Sequence, residues 1–284
     1  MSQQIKQGGK RIKEGVPTQA AKDRPVITVI TVVYNGEEYL EETIKSVIEQ
    51  TYDNIEYLII DGGSVDGTLE IIKRYEDKID YWISEPDQGV YDALNKGIKL
   101  STGQIIAALH ADDLYCNNNV LEKVILKFVD NDNLSWLFGN ICVLDQNIRL
   151  EHVYKVPKFD WNLLLFNNYC YVPHPATFIK RSVIEQIGYF DTRYKLAADY
   201  DLFLRIGSKY KCGKIELPIT KFRFHKNRLS EKLQARTHSE RIKIQRQYPS
   251  INKIYLRLFY MLIMLVSLIR LNYKFYLRKI FNDK

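Results

Sequence analysis

The sequence predicts an α/β fold in which a mixed, mainly parallel sheet is flanked by helices. Two observations indicate this class: short, nearly unbroken runs of apolar and β-branched residues, and amphipathic segments of helical period between them. Alternating strands and helices imply right-handed crossovers and parallel pairing. With 284 residues, 46% of them hydrophobic, the chain is long enough to bury the core that such a sheet requires.

The alternation runs from residue 26 to residue 109. Strands are predicted at 26–33, 55–60, 79–83 and 104–109. Between them, Leu40, Ile44 and Val47 have helical spacing, and further helices are predicted at 68–75 and 90–100. Beyond residue 130 the pattern is less regular and predicts strands at 136–144 and 176–179 and a helix at 199–206.

The net charge of +7 is concentrated at the two ends of the chain. Residues 1–24 carry +4 and residues 251–284 carry +6, which leaves −3 on residues 25–250. A mildly acidic body is unsuited to a phosphate-backbone groove, so no nucleic-acid partner is expected. We expect a flexible basic leader at 1–24, without a signal peptide, and a globular domain at 25–250 with halves at 25–130 and 131–250.

Residues 251–284 form a separate basic and apolar segment. Its residues 258–269 carry no charge and are flanked by lysine and arginine on both sides. This run is shorter than the ~20 residues that a transmembrane helix needs. We expect a basic amphipathic helix that lies on anionic lipid. A helix packed on the domain or in a homo-oligomer, and a short membrane span, are the alternatives.

Acidic side chains follow two of the predicted strands. Asp61 ends the second strand, and Asp112 and Asp113 follow the fourth. In an open α/β sheet, ligands bind beyond the carboxyl ends of the strands, where these carboxylates would lie side by side. Like charges in one crevice repel each other unless a cation joins them, and Mg²⁺ or Mn²⁺ would bridge them to a diphosphate. The alternative is that these aspartates only form turns.

Two nucleotide-binding motifs are absent from the sequence. No GxGxxG follows the first strand, and no GxxxxGK[ST] occurs anywhere. Their absence argues against a dinucleotide-dependent oxidoreductase and against a P-loop NTPase. A nucleotide held without a glycine-rich phosphate loop needs a metal ion to balance the phosphate charge.

Six stretches together resemble the inverting glycosyltransferases of family 2, which have the Rossmann-like GT-A fold. They are ITVITVVYNGEEYLEETIKSVIEQTY, IEYLIIDGGSVDGT, SEPDQGVYDALNKGI, GQIIAALHADDLY, VPHPATFIKRSVIEQIGYFD and LAADYDLFLRI. The resemblance is closest to bacterial enzymes of polysaccharide biosynthesis, of the O-antigen, colanic acid or capsule type. It implies a hexosyltransferase that moves a sugar from a nucleotide-sugar, expected to be a UDP-sugar, to a glycan or lipid-linked acceptor. A QxxRW motif, typical of processive synthases, is absent.

The resemblance also implies which residues bind the donor, in the half at 25–130. The matching positions are Thr31, Val33, Tyr34, Asn35, Asp61, Gly62, Asn95 and Asp112. In this comparison the first-strand edge holds the base and ribose, with Tyr34 as a stacking platform. Asp61 matches the acid that contacts the base, and Asn95 lies in the helix that faces the donor.

Asp112 and Asp113 match the DxD-type motif that binds Mn²⁺ or Mg²⁺ in the family. The fullest form of this motif is DADD, and His110 stands at its first position here. His110 could ligate the metal, hydrogen-bond a ribose or fill space. His225 matches a third metal ligand or phosphate contact in some relatives, and an ordinary surface histidine is the alternative. Arg228 could close over the diphosphate as part of a flap.

Asp199 matches the general base of the family, at the start of a helix in the second half. On a helix, residues 199 and 201 point about 200° apart, so Asp199 and Asp201 cannot face the same ligand. We assign the base to Asp199 and a structural or capping role to Asp201. The alternative is that both only start the helix. His174 is expected to shape the acceptor site.

These roles imply a single displacement with inversion at the anomeric carbon. The expected partners are a nucleotide-sugar, a divalent metal, a glycan or lipid-linked acceptor and the membrane surface. The expected location is cytoplasmic and peripheral, at the inner face of the cell membrane. Two alternatives are an inactive nucleotide-sugar-binding relative and a metal-dependent nucleotidyltransferase. The retained acids argue against the first, and the acidic stretch TVVYNGEEYLEE argues against the second.

Overall fold

The computed structural model describes residues 5–15, 24–144, 150–167, 169–223, 233–248 and 262. Its strands are β1 (Lys6–Gly8), β2 (Ile27–Val33), β3 (Ile55–Asp61), β4 (Tyr81–Ser84), β5 (Ile105–Ala108), β6 (Leu114–Tyr115), β7 (Trp136–Leu144), β8 (Leu150–Tyr154), β9 (Thr177–Lys180) and β10 (Cys212–Arg223). Its helices are α1 (Lys10–Glu14), α2 (Leu40–Ile48), α3 (Thr68–Arg74), α4 (Val90–Leu100), α5 (Val120–Val129), α6 (Trp161–Phe166), α7 (Arg181–Ile187), α8 (Ala198–Gly207) and α9 (Gln234–Gln245), with a 3₁₀ turn at His174–Ala176.

The sheet has a parallel centre and mixed outer strands. The strands follow the order β1-β4-β3-β2-β5-β9-β7-β10-β6, with β8 paired to β7. Neighbouring strands in the group β4, β3, β2 and β5 run parallel, as their apolar continuity predicted. β9 pairs antiparallel with both β5 and β7, and it therefore joins the two halves of the domain in one sheet.

Side chains on both faces of the sheet are buried. In β2, Ile30 and Val32 belong to one core cluster, whereas Val29 and Val33 belong to the other. α2, α3 and α5 contribute to the second cluster, and α4 and α6 to α9 contribute to the first. Because each face is covered, the strands lack polar alternation. The predicted α/β class is confirmed.

The predicted flexible leader is ordered where the structure describes it. β1 pairs antiparallel with the edge of β4, opposite Trp82 and Ser84. The Gly8–Gly9 pair suggested flexibility, but Gly8 makes room for the Trp82 indole, which would lie 2.6 Å from an added Cβ. Gly9 takes a φ of 102° and turns the chain into α1. The prediction of flexibility was wrong here because it was based on the lack of large apolar residues. An edge strand such as β1 is held by main-chain hydrogen bonds, which do not require apolar side chains.

α1 is fixed to the sheet by a buried ion pair. The Arg11 guanidinium pairs with Glu56, and the two side chains are 9% and 4% exposed. Glu56 also accepts a hydrogen bond from Thr102 N–H (2.7 Å), and Arg11 donates to Leu100 O (2.7 Å). The carboxylate of Glu56 therefore depends on the leader for its countercharge.

Arg11→Ala is expected to lower the free energy of unfolding by about 3 kcal/mol, because it leaves the buried Glu56 carboxylate without a partner. Urea unfolding measures the change. Lys13→Ala, on the exposed side of the same helix, is the matched control and should cost little. Equal values for the two variants would mean that the leader does not pack on the domain in solution.

The predicted tail at 251–284 lies outside the described residues, apart from residue 262. Within the part of the chain that is described, no helix is both long enough and apolar enough to cross a bilayer.

Candidate active site

The carboxyl ends of β3, β2 and β5 meet at one edge of the sheet, as the sequence predicted. The strand order reverses between β2 and β5, and open α/β sheets bind ligands at such a position. Two main-chain hydrogen bonds join the three ends: Gly62 N–H donates to Val33 O (2.9 Å), and Leu109 N–H donates to Ile30 O (3.0 Å). The loops that follow these strands are thus brought together.

Of the four residues predicted at the end of the first strand, two are exposed and two are not. Tyr34 is 65% exposed, and Asn35 follows it with a left-handed backbone (φ 50°) that turns the chain. Thr31 is fully buried, with its Oγ1 3.1 Å from the hydroxyl of Tyr57, and Val33 is 6% exposed. The side chains of Thr31 and Val33 point into the core, and the contact of these two residues with the donor stays a prediction.

Asp61 holds the loop that follows β3. It is fully buried, and its carboxylate accepts hydrogen bonds from Ser64 N–H (3.1 Å) and Ser84 Oγ (2.6 Å). This loop is fastened to the one after β2, since Asn35 N–H donates to Ser64 Oγ (2.7 Å) and Asn35 Oδ1 accepts from Val65 N–H (3.0 Å). The geometry gives Asp61 a turn-forming role, and its contact with a base stays a prediction.

Gly62 allows two side chains to come together over the loop. A Cβ at this position would lie 2.6 Å from Asp87 Oδ2 and 3.4 Å from Tyr34 Cδ2. Asp87 is partly exposed, and its Oδ1 accepts a hydrogen bond from Gly89 N–H (2.7 Å) just before α4. The sequence pattern did not single out Asp87, although it lies within the family-like stretch SEPDQGVYDALNKGI. Tyr34 and Asp87 therefore lie together on one side of the crevice.

The loop after β5 holds Asp112 and Asp113 at different depths. Asp113 N–H donates to His110 O (3.0 Å) and closes a turn. The Thr43 hydroxyl of α2 fixes this loop, with Ala111 O at 2.8 Å and Asp113 O at 2.9 Å. Asp112 is partly exposed, whereas Asp113 is fully buried. Asp112 is thus the carboxylate that a ligand in the crevice can reach.

These two carboxylates are the basis for the predicted metal site. Among the described residues, no group of three or more His, Cys, Asp or Glu side chains could hold an ion. Only Asp112 of the two is accessible, and a hard divalent cation can be held by one carboxylate and completed by substrate phosphates, so the metal site stays a prediction. His225 and Arg228, also predicted to contact metal or diphosphate, lie outside the described residues. β10 ends next to the acidic loop, where Arg223 Nε donates to Asp112 O (3.3 Å).

Asp199 lies in the first turn of α8. Its Oδ1 accepts hydrogen bonds from Tyr200 N–H (2.8 Å) and from the Tyr91 hydroxyl (3.0 Å). Burial raises the pKa of Asp199 above its ordinary value, and these hydrogen bonds oppose the rise. A carboxyl with a raised pKa is suited to general-base chemistry. Asp201 forms an ion pair with Arg205 Nε (2.8 Å), consistent with the structural role predicted for it.

Asn95 joins α4 to the loop that precedes α8. Its side-chain amide donates to Phe190 O (2.8 Å) and accepts from Phe190 N–H (3.0 Å), and the residue is 8% exposed. Both ends of the amide are therefore used within the protein. The side chain of Asn95 connects the two halves of the domain, and the prediction that its helix faces the donor stays a prediction.

His110 lies next to His174. His110 Nε2 lies 3.4 Å from His174 Nδ1, and His110 interacts electrostatically with Asp199. The His174 ring packs edge-on against Phe190 and Phe203, with centroids 5.4 and 6.1 Å away. Burial lowers the pKa of His174 to about 4, so this imidazole is neutral at physiological pH. Of the roles left open for His110, the contact with His174 is consistent with filling space, and the other two stay predictions.

Glu240 of α9 caps the helix that carries Asp199. Its buried carboxylate accepts hydrogen bonds from Leu196 N–H (2.8 Å) and Ala197 N–H (3.2 Å), immediately before α8. Negative charge is favourable at a helix N-terminus. No sequence spacing could indicate this cap, because Leu196 and Glu240 are 44 positions apart and belong to different elements.

Comparison with known proteins agrees with this fold. The family model described as Glycosyl transferase family 2 matches residues 28–188. An uncharacterized glycosyltransferase of Mycobacterium tuberculosis is 34% identical over 184 residues, which are 64% of this chain and 68% of that protein.

Two solved structures share the fold. A mannosyltransferase from Pyrobaculum calidifontis, in complex with GDP-Man and Mn²⁺, superposes with a TM-score of 0.59 at 22% identity, over 78% of this chain and 65% of the other. Residues 1–349 of S. aureus TarS, in complex with UDP, give a TM-score of 0.56 at 17% identity, over 76% of this chain and 65% of the other. This chain thus spans less than two thirds of either structure, and the likeness confirms the predicted GT-A fold. Because the family model covers more than half of the chain, the chain belongs to glycosyltransferase family 2 and is a glycosyltransferase.

Proposed function

We propose that this chain is a metal-dependent inverting glycosyltransferase that moves a sugar from a nucleotide-sugar to the hydroxyl of a glycan or lipid-linked acceptor. The observation that carries the proposal is the position of Asp199. This carboxyl, with its raised pKa, interacts electrostatically with His110, which lies at the start of the loop after β5, two residues before Asp112. The proposed base thus lies near the loop that carries Asp112, the carboxylate proposed to bind the cation.

The donor is proposed to be a UDP-sugar. The exposed ring of Tyr34 offers a stacking surface for a base, and Asp112 is accessible to a cation that would also contact the diphosphate. The UDP bound to TarS and the GDP-Man and Mn²⁺ bound to the P. calidifontis enzyme support a nucleotide-sugar with a divalent ion. They leave the choice of base and sugar to experiment.

In the proposed reaction, Asp199 accepts the proton of the acceptor hydroxyl as that oxygen attacks the anomeric carbon. Such general-base assistance contributes roughly 10²–10⁴-fold. The nucleoside diphosphate departs from the opposite face of the sugar, so the configuration inverts. A cation held at Asp112 would stabilise the charge that develops on the departing diphosphate.

The acceptor is proposed to belong to surface polysaccharide synthesis and to be presented at the inner face of the cell membrane. The basic, apolar composition of residues 251–284 supports a peripheral position on anionic lipid. Such a position would bring the crevice close to a lipid-linked acceptor.

A donor panel tests the proposal. We expect the purified protein with Mn²⁺ to hydrolyse or transfer sugar from one member of a UDP- and GDP-sugar panel, as measured by release of the nucleoside diphosphate. EDTA should stop the release and added Mn²⁺ should restore it, because the cation balances the leaving charge. Binding without turnover of any donor would identify an inactive relative, and release of pyrophosphate from a nucleoside triphosphate would identify a nucleotidyltransferase.

A further inference from the structure

Tyr91 connects α4 to Asp199, the proposed general base. It lies in the first turn of α4 and is 8% exposed. Its hydroxyl donates to Asp199 Oδ1 at 3.0 Å, across 108 positions of sequence. Its ring packs on Phe190, with centroids 5.4 Å apart. Tyr91 thus touches both the carboxylate and the loop that leads to α8.

The same face of α4 makes a second contact with that loop. Asn95 lies four residues after Tyr91 and therefore on the same side of the helix. Its amide makes two hydrogen bonds with the main chain of Phe190. α4 therefore holds the loop before α8 through Asn95 and the Asp199 carboxylate through Tyr91. The loop is already fixed by Asn95, so the additional effect of the Tyr91 hydroxyl is to orient the Asp199 carboxylate.

The two oxygens of the Asp199 carboxylate are in different environments. Oδ1 accepts hydrogen bonds from the Tyr91 hydroxyl and from Tyr200 N–H. In the described ranges of the chain, no hydrogen bond is made to Oδ2. A carboxylate held through one oxygen in this way presents the other to an incoming hydroxyl.

We propose that Tyr91 is a positioning residue for sugar transfer, whose hydroxyl fixes the Asp199 carboxylate so that Oδ2 meets the acceptor hydroxyl. This assignment rests on the proposed function of Asp199 as the general base. Tyr91 acts through Asp199 and does not itself exchange a proton with the acceptor.

The charges around Asp199 support this division of roles. The groups that interact with its carboxylate are Tyr91 of α4, His110 after β5, Cys170 before the 3₁₀ turn and Arg241 of α9. Burial, together with the nearby Asp199 charge, raises the pKa of Tyr91 well above its ordinary value. The Tyr91 hydroxyl therefore stays protonated and remains a donor over the whole working range of pH.

Tyr91→Phe tests the proposal, because it removes the hydroxyl and keeps the ring on Phe190. We expect kcat to fall roughly 10- to 100-fold while KM for the donor stays unchanged. Loss of the hydrogen bond also disfavours the Asp199 carboxylate. The acidic limb of the pH profile of kcat/KM should therefore move to higher pH, by about one unit.

Tyr52→Phe is the matched control. Tyr52 is 9% exposed, and its hydroxyl donates to Pro25 O (2.6 Å) beyond the amino end of β2, at the opposite edge of the sheet from Asp199. It should keep the wild-type kcat and pH profile. If Tyr91→Phe proves unstable, 3,5-difluorotyrosine at position 91 keeps the shape and strengthens the donor, and the acidic limb should then move to lower pH.

Different results would contradict the positioning role of Tyr91 and the proposed glycosyltransferase function. If wild-type protein transfers sugar and Asp199→Asn does not, but Tyr91→Phe behaves like Tyr52→Phe, Tyr91 has no positioning role and the proposed function stands. A lower kcat without any shift of the pH limb would also overturn the positioning role. Absence of transfer by the wild-type protein with every donor would remove the proposed function itself.

Discussion

Asp199→Asn is expected to stop sugar transfer and to leave nucleotide-sugar binding intact. The asparagine carbonyl can still accept the hydrogen bonds that Tyr91 and Tyr200 N–H give to Oδ1, so the side chain keeps its position. The amide cannot accept the acceptor's proton, and the loss of general-base assistance should lower kcat by roughly 10²–10⁴-fold. Steady-state kinetics measures the first effect, and calorimetric titration with the nucleoside diphosphate and Mn²⁺ measures the second.

Asp201→Asn is the matched control in the same helix. Asp201 points away from Asp199 and pairs with Arg205, so its substitution should affect the stability of α8 and not the chemical step. Two results would contradict the assignment of the base to Asp199. One is transfer at the wild-type rate by Asp199→Asn, and the other is loss of donor binding in that variant without unfolding.

The pH dependence of stability provides an independent check on Asp199→Asn. Burial raises the folded-state pKa of Asp199, so the folded protein holds this proton more tightly than the unfolded chain does. The resulting penalty is absent below the ordinary aspartate pKa and fully present above the raised value. Asp199→Asn should therefore be more stable than wild type at pH 7, and the difference should vanish in acid.

The sequence predicted the sheet edge well because a strand that is buried on both faces consists of a continuous run of apolar residues. Continuous apolar runs can only be accommodated where both faces of a strand are covered, and the acids that end such runs must lie at the edge. The 3.6-residue period also separated Asp199 from Asp201 correctly. These inferences depend on one element at a time.

What the sequence missed depends on contacts between elements. Thr31 matches a donor-binding position, yet its side chain meets Tyr57 in the core because of the register of β2 and β3. Asn95 matches the donor-facing helix, yet its amide is taken by the main chain of Phe190. The contact between Tyr91 and Asp199 joins two halves of the domain, and no periodicity in the chain could indicate it.

Asp112→Asn is expected to weaken the binding of Mn²⁺ and nucleotide together, by roughly 10- to 100-fold in Kd, because it removes an accessible anionic ligand. Asp113→Asn should act differently, since Asp113 is fully buried and its main chain is held by Thr43. We expect this second change to lower the thermal midpoint and to raise Kd less. Titration of each variant with Mn²⁺ and UDP, beside a thermal melt, measures both quantities. Asp130→Asn, at the exposed end of α5, is the charge-matched control.

Measuring Mn²⁺ binding with and without the nucleotide distinguishes Asp112→Asn from Asp113→Asn. A cation held by one accessible carboxylate and completed by phosphate oxygens binds tightly only when the diphosphate is present. The defect of Asp112→Asn should therefore be large in the presence of UDP and small in its absence, whereas a loss of fold stability in Asp113→Asn does not require the nucleotide. The reverse pattern, with a nucleotide-dependent defect confined to Asp113→Asn, would mean that the loop after β5 rearranges on binding and exposes the buried carboxylate to the ion.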